Sequence, residues 1–484
     1  MNPAIDPKSV LAGLWQLAGL PVDALRQATL TGADPVLPSS FAVGAAAQTS
    51  VAAAALAACE LGLARGQVRQ AISVDMAHAA LECSGWFSLD GRVPAQWDTF
   101  SGLYQCRDGW ARIHANFAHH REGALRLMGL DPASATRSDA EQAMRKRGAL
   151  EFEQAAADAG LVVAALRSFE EWDAHPAGQA VAAQPLLTFE RIGEAPPLPL
   201  PALASNAMPL SGLRVLDLTR ILAGPVCGRT LAAHGADVML VNGPHLPNIE
   251  SIADTSRGKL SALVDLRTPD GRQSLARLVE GSHVFVQGYR PGALASRQFS
   301  PQEAARLRPG IIYVSLSAYG ELGPWSARRG FDSLVQTTMG FNDAEGQAAL
   351  AASGEPSVSS SGPSPGALTP PLWPRPLPMQ ILDYATGHLM AFAASAALVK
   401  QQQQGGSWHV RVSLAQTGYW LRAMGRVGGG FEVKRPDSKP FLQTYPSGYG
   451  ELVAYRHSAT LAATPVGAAR PSMPPGSHPA EWPL

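Results

Sequence analysis

Chemistry-bearing residues are sparse in this sequence, and the strongest candidates lie in its second half. Asp383 opens Asp383-Tyr384-Ala385-Thr386-Gly387, ahead of a small-residue run with helical spacing. A carboxylate there is either an N-cap for the amides that a first helical turn leaves open or a nucleophile that the helix amino terminus keeps ionised. Thr219-Arg220-Ile221-Leu222-Ala223-Gly224-Pro225 makes a turn between an apolar run and a helical pattern, where an open α/β sheet would hold a nucleotide-like ligand. The turn is neither a GxGxxG fingerprint nor a P-loop, and Gly224 and Gly228 taken alone read as close packing of helix on sheet. His119-His120 lacks HExxH or spaced-ligand context and reads as surface polarity or structure, so no metal is expected. The four cysteines, Cys59, Cys83, Cys106 and Cys227, form no CxxC pair and read as reduced and mostly buried. Gly428-Gly429-Gly430 is a linker or a mobile loop able to close over a site.

The elements that must position these residues are clearest between Leu210 and Leu316, where short β-branched runs alternate with helical patterns at βα spacing. Strands are expected over Leu213–Leu218, Asp237–Val241, His283–Val286 and Ile311–Leu316, with a further apolar run over Ser261–Leu266. Helices are expected over Pro225–His234 and Pro269–Val279. Ser300-Pro301-Gln302-Glu303 is a capping box with proline at the first helical position. Right-handed crossovers put helices on both faces of a parallel sheet and the ligand crevice at the carboxyl ends of its strands. The fold class is therefore α/β, a doubly wound, mostly parallel sheet with a smaller α+β domain.

Five prolines between Glu194 and Pro209 mark a semi-rigid spacer. Upstream, Asp108-Gly109 between two β-like arms predicts a hairpin within Tyr104–Asn116, and Ser138 with Glu141 and Ser168 with Glu171 predict capping boxes. Ser353–Pro378 and the tail from Ser472 read as loop. Phe41–Ala80 and Asp383–Gly418 share a small-residue helix, a glycine turn and a β-like run, a possible repeat; with Gly44 opposite Gly387, only Ser40 faces Asp383. The expected organisation is an alanine-rich helical segment (1–90), a small α+β domain (91–193), the spacer (194–209), the large domain (210–425) and a loop-rich returning segment (426–484).

Composition bounds the class. The 484 residues are 46% hydrophobic and 16% charged, too apolar for a disordered chain. Thirty-nine basic residues balance 39 acidic ones, so neither nucleic acid nor an anionic membrane is attracted as a main partner. Asp6 and Pro7 break any signal-peptide pattern, and the apolar stretches Ala42–Cys59 and Ala391–Val399 read as interrupted or too short to span a bilayer. The cytoplasm is the default compartment.

In order along the chain, Leu210–Val241 (LSGLRVLDLTRILAGPVCGRTLAAHGADVMLV), Arg257–Gly271, Gly288–Leu294 (GYRPGAL), Pro309–Gln336 and DYATG at Asp383–Gly387 closely resemble the large domain of family III CoA-transferases. This is the CaiB/BaiF superfamily of formyl-CoA and carnitine CoA-transferases and α-methylacyl-CoA racemases. Weaker resemblance places the family's small domain at Tyr104–Ile192, ahead of the large one, so domain order is permuted or fused. The resemblance implies CoA transfer between an acyl-CoA and a free carboxylic acid through covalent intermediates on Asp383. It implies CoA contacts at Arg220, Ile221, Leu222, Ala223, Lys259, Tyr289, Arg290 and Arg329, no cofactor beyond CoA, and an interlocked homodimer. Asn242, Leu260 and Gly288 depart from the family's usual acidic, arginine and asparagine residues. The alternatives are a racemase or epimerase of the same fold, which lacks its histidine because Phe331 stands there, and a catalytically silent CoA-binding protein.

Overall fold

The structure, a computed structural model, describes residues 5–354 and 373–483. At its centre lies a sheet of seven strands: β1 (Thr188–Gly193), β2 (Arg214–Leu218), β3 (Asp237–Asn242), β4 (Lys259–Leu263), β5 (Val284–Gln287), β6 (Ile312–Ser317) and β7 (Ser407–Ser413). Their order is β4-β3-β2-β5-β6-β7-β1, and every neighbouring pair is parallel except β7 with β1. The strands read as nearly continuous apolar runs because both faces are covered. Val284 and Val286 face one core with the long helices described below, while Phe285 faces another with Leu275, Leu278 and Ala304. The order reverses between β2 and β5, opening the crevice that doubly wound sheets use for ligands.

Three helices position the site: α1 (Val43–Ala64), α2 (Ala223–Ala233) and α3 (Ile381–Gln404). All are rich in small residues, which lets backbones approach closely. Gly387 marks the tightest approach, since a Cβ there would lie 2.5 Å from the Ala223 carbonyl oxygen. The helix α1 is longer than the Ala42–Cys59 run suggests; by length and composition it could cross a bilayer, yet nearly all of its residues are buried inside the molecule.

The hairpin turns at Asp108-Gly109, pairing Gly102–Gln105 with Trp110–Ile113. Ser300–Glu303 and Ser168–Glu171 are capping boxes as expected. The box expected at Ser138 lies two residues earlier, on Thr136 and Asp139, because the helix already begins at Arg137. The strand β1, read from sequence as part of the small domain, completes the large sheet. The proline-rich spacer is tied down: Gln401 of α3 donates to the Pro196 carbonyl, and Arg65 beyond α1 donates to that of Pro201. Leu452–Tyr455 pairs with Phe87–Leu89, so the carboxyl segment returns to the amino-terminal one. Most of the expected loop Ser353–Pro378 falls outside the described residues.

Candidate active site

A cavity of about 450 Å³ opens at the carboxyl ends of β2, β5 and β6. Arg220, Ile221, Leu222, Ala223, Tyr289, Arg290, Arg329 and Asp383, all singled out in the sequence, line it. The first βα turn is bent sharply. Ile221 has φ +78°, a left-handed conformation costly for a β-branched residue and held only where the surroundings enforce it. Leu222 supplies no side-chain cap to α2, so the amino-terminal amides of that helix keep their capacity for an anionic ligand. Gly224 and Gly228 provide close packing: added Cβ atoms would strike the Thr219 side chain and the Asp217 carboxylate.

Lys259 is not in the cavity, a correction to the expected CoA contact. It is fully buried beneath the turn, its ammonium 2.8 Å from Asp217 Oδ2 and 2.8 Å from the Pro225 carbonyl oxygen. Asp217 in turn accepts from the Thr219 amide (3.0 Å) and hydroxyl (2.5 Å). The pair fixes the turn from below, and its charge is spent there.

Asp383 is the third residue of α3, within the first turn, and not its N-cap. The amides of that turn are taken by another carboxylate: Asp332 Oδ2 accepts from the Asp383 amide at 2.8 Å, the Leu382 amide also donates to Asp332, and Gln336 Nε2 donates to its Oδ1 at 2.5 Å. Asp332 is wholly buried and Asp383 nearly so, with 7% exposure on the cavity side. Burial, then the neighbouring Asp332, hold the Asp383 carboxyl well above the ordinary carboxylate range; burial raises Asp332 as well. A helix dipole contributes about 0.3–2 kcal/mol to an anion, whereas an unpaired buried charge costs several. Desolvation therefore wins at Asp383, reversing the expectation of a helix-stabilised ionised group.

The sequence did not mark the other half of the site. Phe117, His119 and His120, from the amino-terminal part of the chain, line the cavity. His120 is buried, not surface polarity: its Nε2 accepts from Arg329 at 3.3 Å, and burial, then His119 and the cations of Arg329 and Arg220, push its pKa down to about 4. Arg220 donates to the Pro247 carbonyl and stacks 5.7 Å from the Phe117 ring. Arg328 also lines the cavity, 3.6 Å from Glu153. Phe331 stacks on His114 with centroids 4.0 Å apart, leaving an apolar ring where a racemase would need a proton carrier. Four guanidiniums thus face one lining carboxylate, Asp383, a balance suited to an anionic ligand. The Gly428–Gly430 stretch lies elsewhere, Gly430 pressed against the Ser39 carbonyl. Among the described residues no cluster is placed to hold a metal ion.

The residues that form this cavity fall largely within the part of the chain that is similar to known proteins. Residues 210–427 match the family model described as CoA-transferase family III. A probable fatty acyl-CoA transferase of Mycobacterium tuberculosis is 31% identical over 234 residues, covering 46% of this chain and 54% of that protein. An acyl-CoA transferase of Gibberella moniliformis is 28% identical over 382 residues, 71% of this chain and 64% of that protein. A succinate–glutarate CoA-transferase of Agrobacterium fabrum is 31% identical over 226 residues, 43% of this chain and 51% of that protein. The crystal structure of a CaiB/BaiF family protein from Brucella suis is 26% identical, covers 51% of this chain and 65% of its own, and superposes with a TM-score of 0.36. The chain spans between half and two thirds of the length of these relatives. Over residues 210–427 the chain is similar to CoA-transferase family III.

Proposed function

We propose that the protein transfers CoA between an acyl-CoA and a free carboxylic acid, with Asp383 as the nucleophile. The observation that carries this reading is a single carboxylate set in the wall of a cavity that also holds four guanidiniums and a largely apolar lining, with His119 and His120 on one side. The guanidiniums suit CoA phosphates, the open amino terminus of α2 suits a phosphate or a developing oxyanion, and the apolar walls suit the thioester. Asp383 Oδ attacks the thioester carbonyl carbon; the C–S bond breaks, giving an acyl-aspartyl anhydride and CoA thiolate. The thiolate attacks the aspartyl carbonyl, releasing the donor acid and leaving an aspartyl-CoA thioester. The acceptor carboxylate then attacks that thioester and the returning thiolate takes the new acyl group, regenerating Asp383. Exchange of isotope between labelled free acid and acyl-CoA tests the reaction; binding of acyl-CoA without exchange would favour the silent CoA-binding alternative.

Two predictions follow from the site's charges. Each of R290A and R329A is expected to weaken CoA binding roughly tenfold to a hundredfold, the worth of one charged hydrogen bond, with a shallower salt dependence in calorimetric titration. Unchanged affinity in both would remove the phosphate assignment. Attack requires ionised Asp383, and Asp332 opposes that ionisation, so activity is expected to rise with pH through and above the ordinary carboxylate range. Replacing Asp332 by Asn keeps an oxygen for the α3 amides and removes the like charge. The acid limb of the kcat–pH profile should then move to lower pH; an unmoved limb would show that Asp332 does not tune the nucleophile.

A further inference from the structure

Two stretches of this chain are built alike. In the second, β6 is followed by Asp332 at the head of two inserted helices (Asp332–Met339 and Phe341–Ser353), then by α3, by a glycine turn at Gly405-Gly406, by β7 parallel to β6, and by a helix over Leu414–Ala423. In the first, a strand over Ala28–Thr31 is followed by Asp34, by α1, by a turn at Gly66, by a strand over Ile72–Asp75 parallel to the first, and by a helix over Met76–Glu82.

The correspondence reaches single hydrogen bonds. Asp332 accepts from the second and third amides of α3; Asp34 accepts from the second and third amides of α1, those of Gly44 (3.1 Å) and Ala45 (2.7 Å). In each stretch the last strand residue caps the next helix at its third amide, Ser413 to Gln416 and Asp75 to His78. The capping register puts Ala45, not Ser40, opposite Asp383. Ser40 is instead held by buried Glu345, through its amide (3.0 Å) and its hydroxyl, and Gly430 closes on Ser39. The first stretch thus has a methyl group where the second has its nucleophile, and α1 lies packed in the same core as α3.

We infer that one chain is a fused pair of units with a single live site, in which the first unit is silent and the Phe117–His120 wall of the cavity comes from the same chain as Asp383. This rests on the reading of the cavity as the acyl-CoA site, and it replaces the interlocked homodimer implied by resemblance with an active monomer. The wall is covalently connected to the catalytic stretch through Thr188–Gly193, which enters the same sheet, so no second copy is needed to complete it.

Sedimentation and CoA titration of the wild type are expected to give a 50.9 kDa species binding one CoA per chain, with specific activity unchanged on dilution. Complementation then reads where the wall comes from. D383N and H120A chains are co-expressed and purified together; H119W, which blocks the cavity from its exposed side without removing a buried group, serves in place of H120A should that variant unfold. The mixture is expected to show no activity above the sum of the separate variants. Recovered activity, or a dimer whose dissociation abolishes CoA binding, would overturn the inference. Wild-type chains that bind CoA one to one as monomers but catalyse no exchange would overturn the transfer reaction and leave the single-chain site standing.

Discussion

Asp383→Asn is expected to lower CoA exchange by about 10³-fold or more, because an amide oxygen of the same size cannot displace a thiolate. Folding should survive. The side chain sits on the cavity wall, and the helix amides it might have capped are held by Asp332. The variant should also be the more stable protein at high pH. The folded-state pKa of Asp383 is raised above its unfolded value by burial and by Asp332. For such an acid the folded state holds the proton more tightly, so wild-type stability is fully present below the ordinary carboxylate range and declines as pH climbs above it. Asn does not titrate. The gap in melting temperature between variant and wild type should therefore open as pH climbs above the ordinary carboxylate range, as a group tuned for reactivity at the expense of stability requires. Equal exchange rates would refute the nucleophile; a gap that stays constant with pH would refute the raised pKa.

Replacing Lys259 by Met is expected to cost about 3–5 kcal/mol of folding stability, the usual penalty for leaving one partner of a buried ion pair behind. Asp217 would remain fully buried without a counter-charge, and the carbonyl of Pro225 would lose its donor at the start of α2. Urea denaturation measures the loss. The double variant K259M/D217N should recover most of it, since Asn still accepts from Thr219 while carrying no charge. The folded fraction of K259M should bind CoA within a few-fold of wild type. A loss of roughly tenfold to a hundredfold in affinity, with stability intact, would instead make Lys259 a phosphate ligand and contradict its burial beneath the turn.

What the sequence disclosed follows from which interactions are local. Strands such as Val284–Gln287 are short apolar runs bounded by turns, and the Ser300–Glu303 box carries its partners three residues apart, so both could be read directly. Seven of the eight expected CoA contacts lie on loops at one sheet edge and converge on the cavity. Lys259 failed because it sits at the start of a strand, where a cation is as readily turned inward to a carboxylate 42 residues away as outward to a ligand. His119-His120 reads from sequence as surface polarity or structure; His119 is exposed, and the burial of His120 could not be seen because its neighbours at the site, Arg329 and Arg220, are distant in sequence. Asp332 could have been noticed as an apolar-flanked carboxylate opening the helix Asp332–Met339, but nothing local announces that it caps a different helix. The parallel construction of the two stretches appears in sequence only as a shared small-residue helix, glycine turn and β-like run; the carboxylates at Asp34 and Asp332 that reveal it stand 9 and 49 residues ahead of their helices' first turns.

The central claim, covalent chemistry on Asp383, is tested most directly by incubating wild type and D383N with a panel of acyl-CoAs, quenching in acid, and measuring intact mass with peptide mapping. Wild type should carry an added acyl or CoA mass confined to the peptide containing Asp383, and D383N should carry none. An adduct on another residue, or full exchange with no adduct at Asp383 in the wild type and undiminished turnover in D383N, would contradict the account.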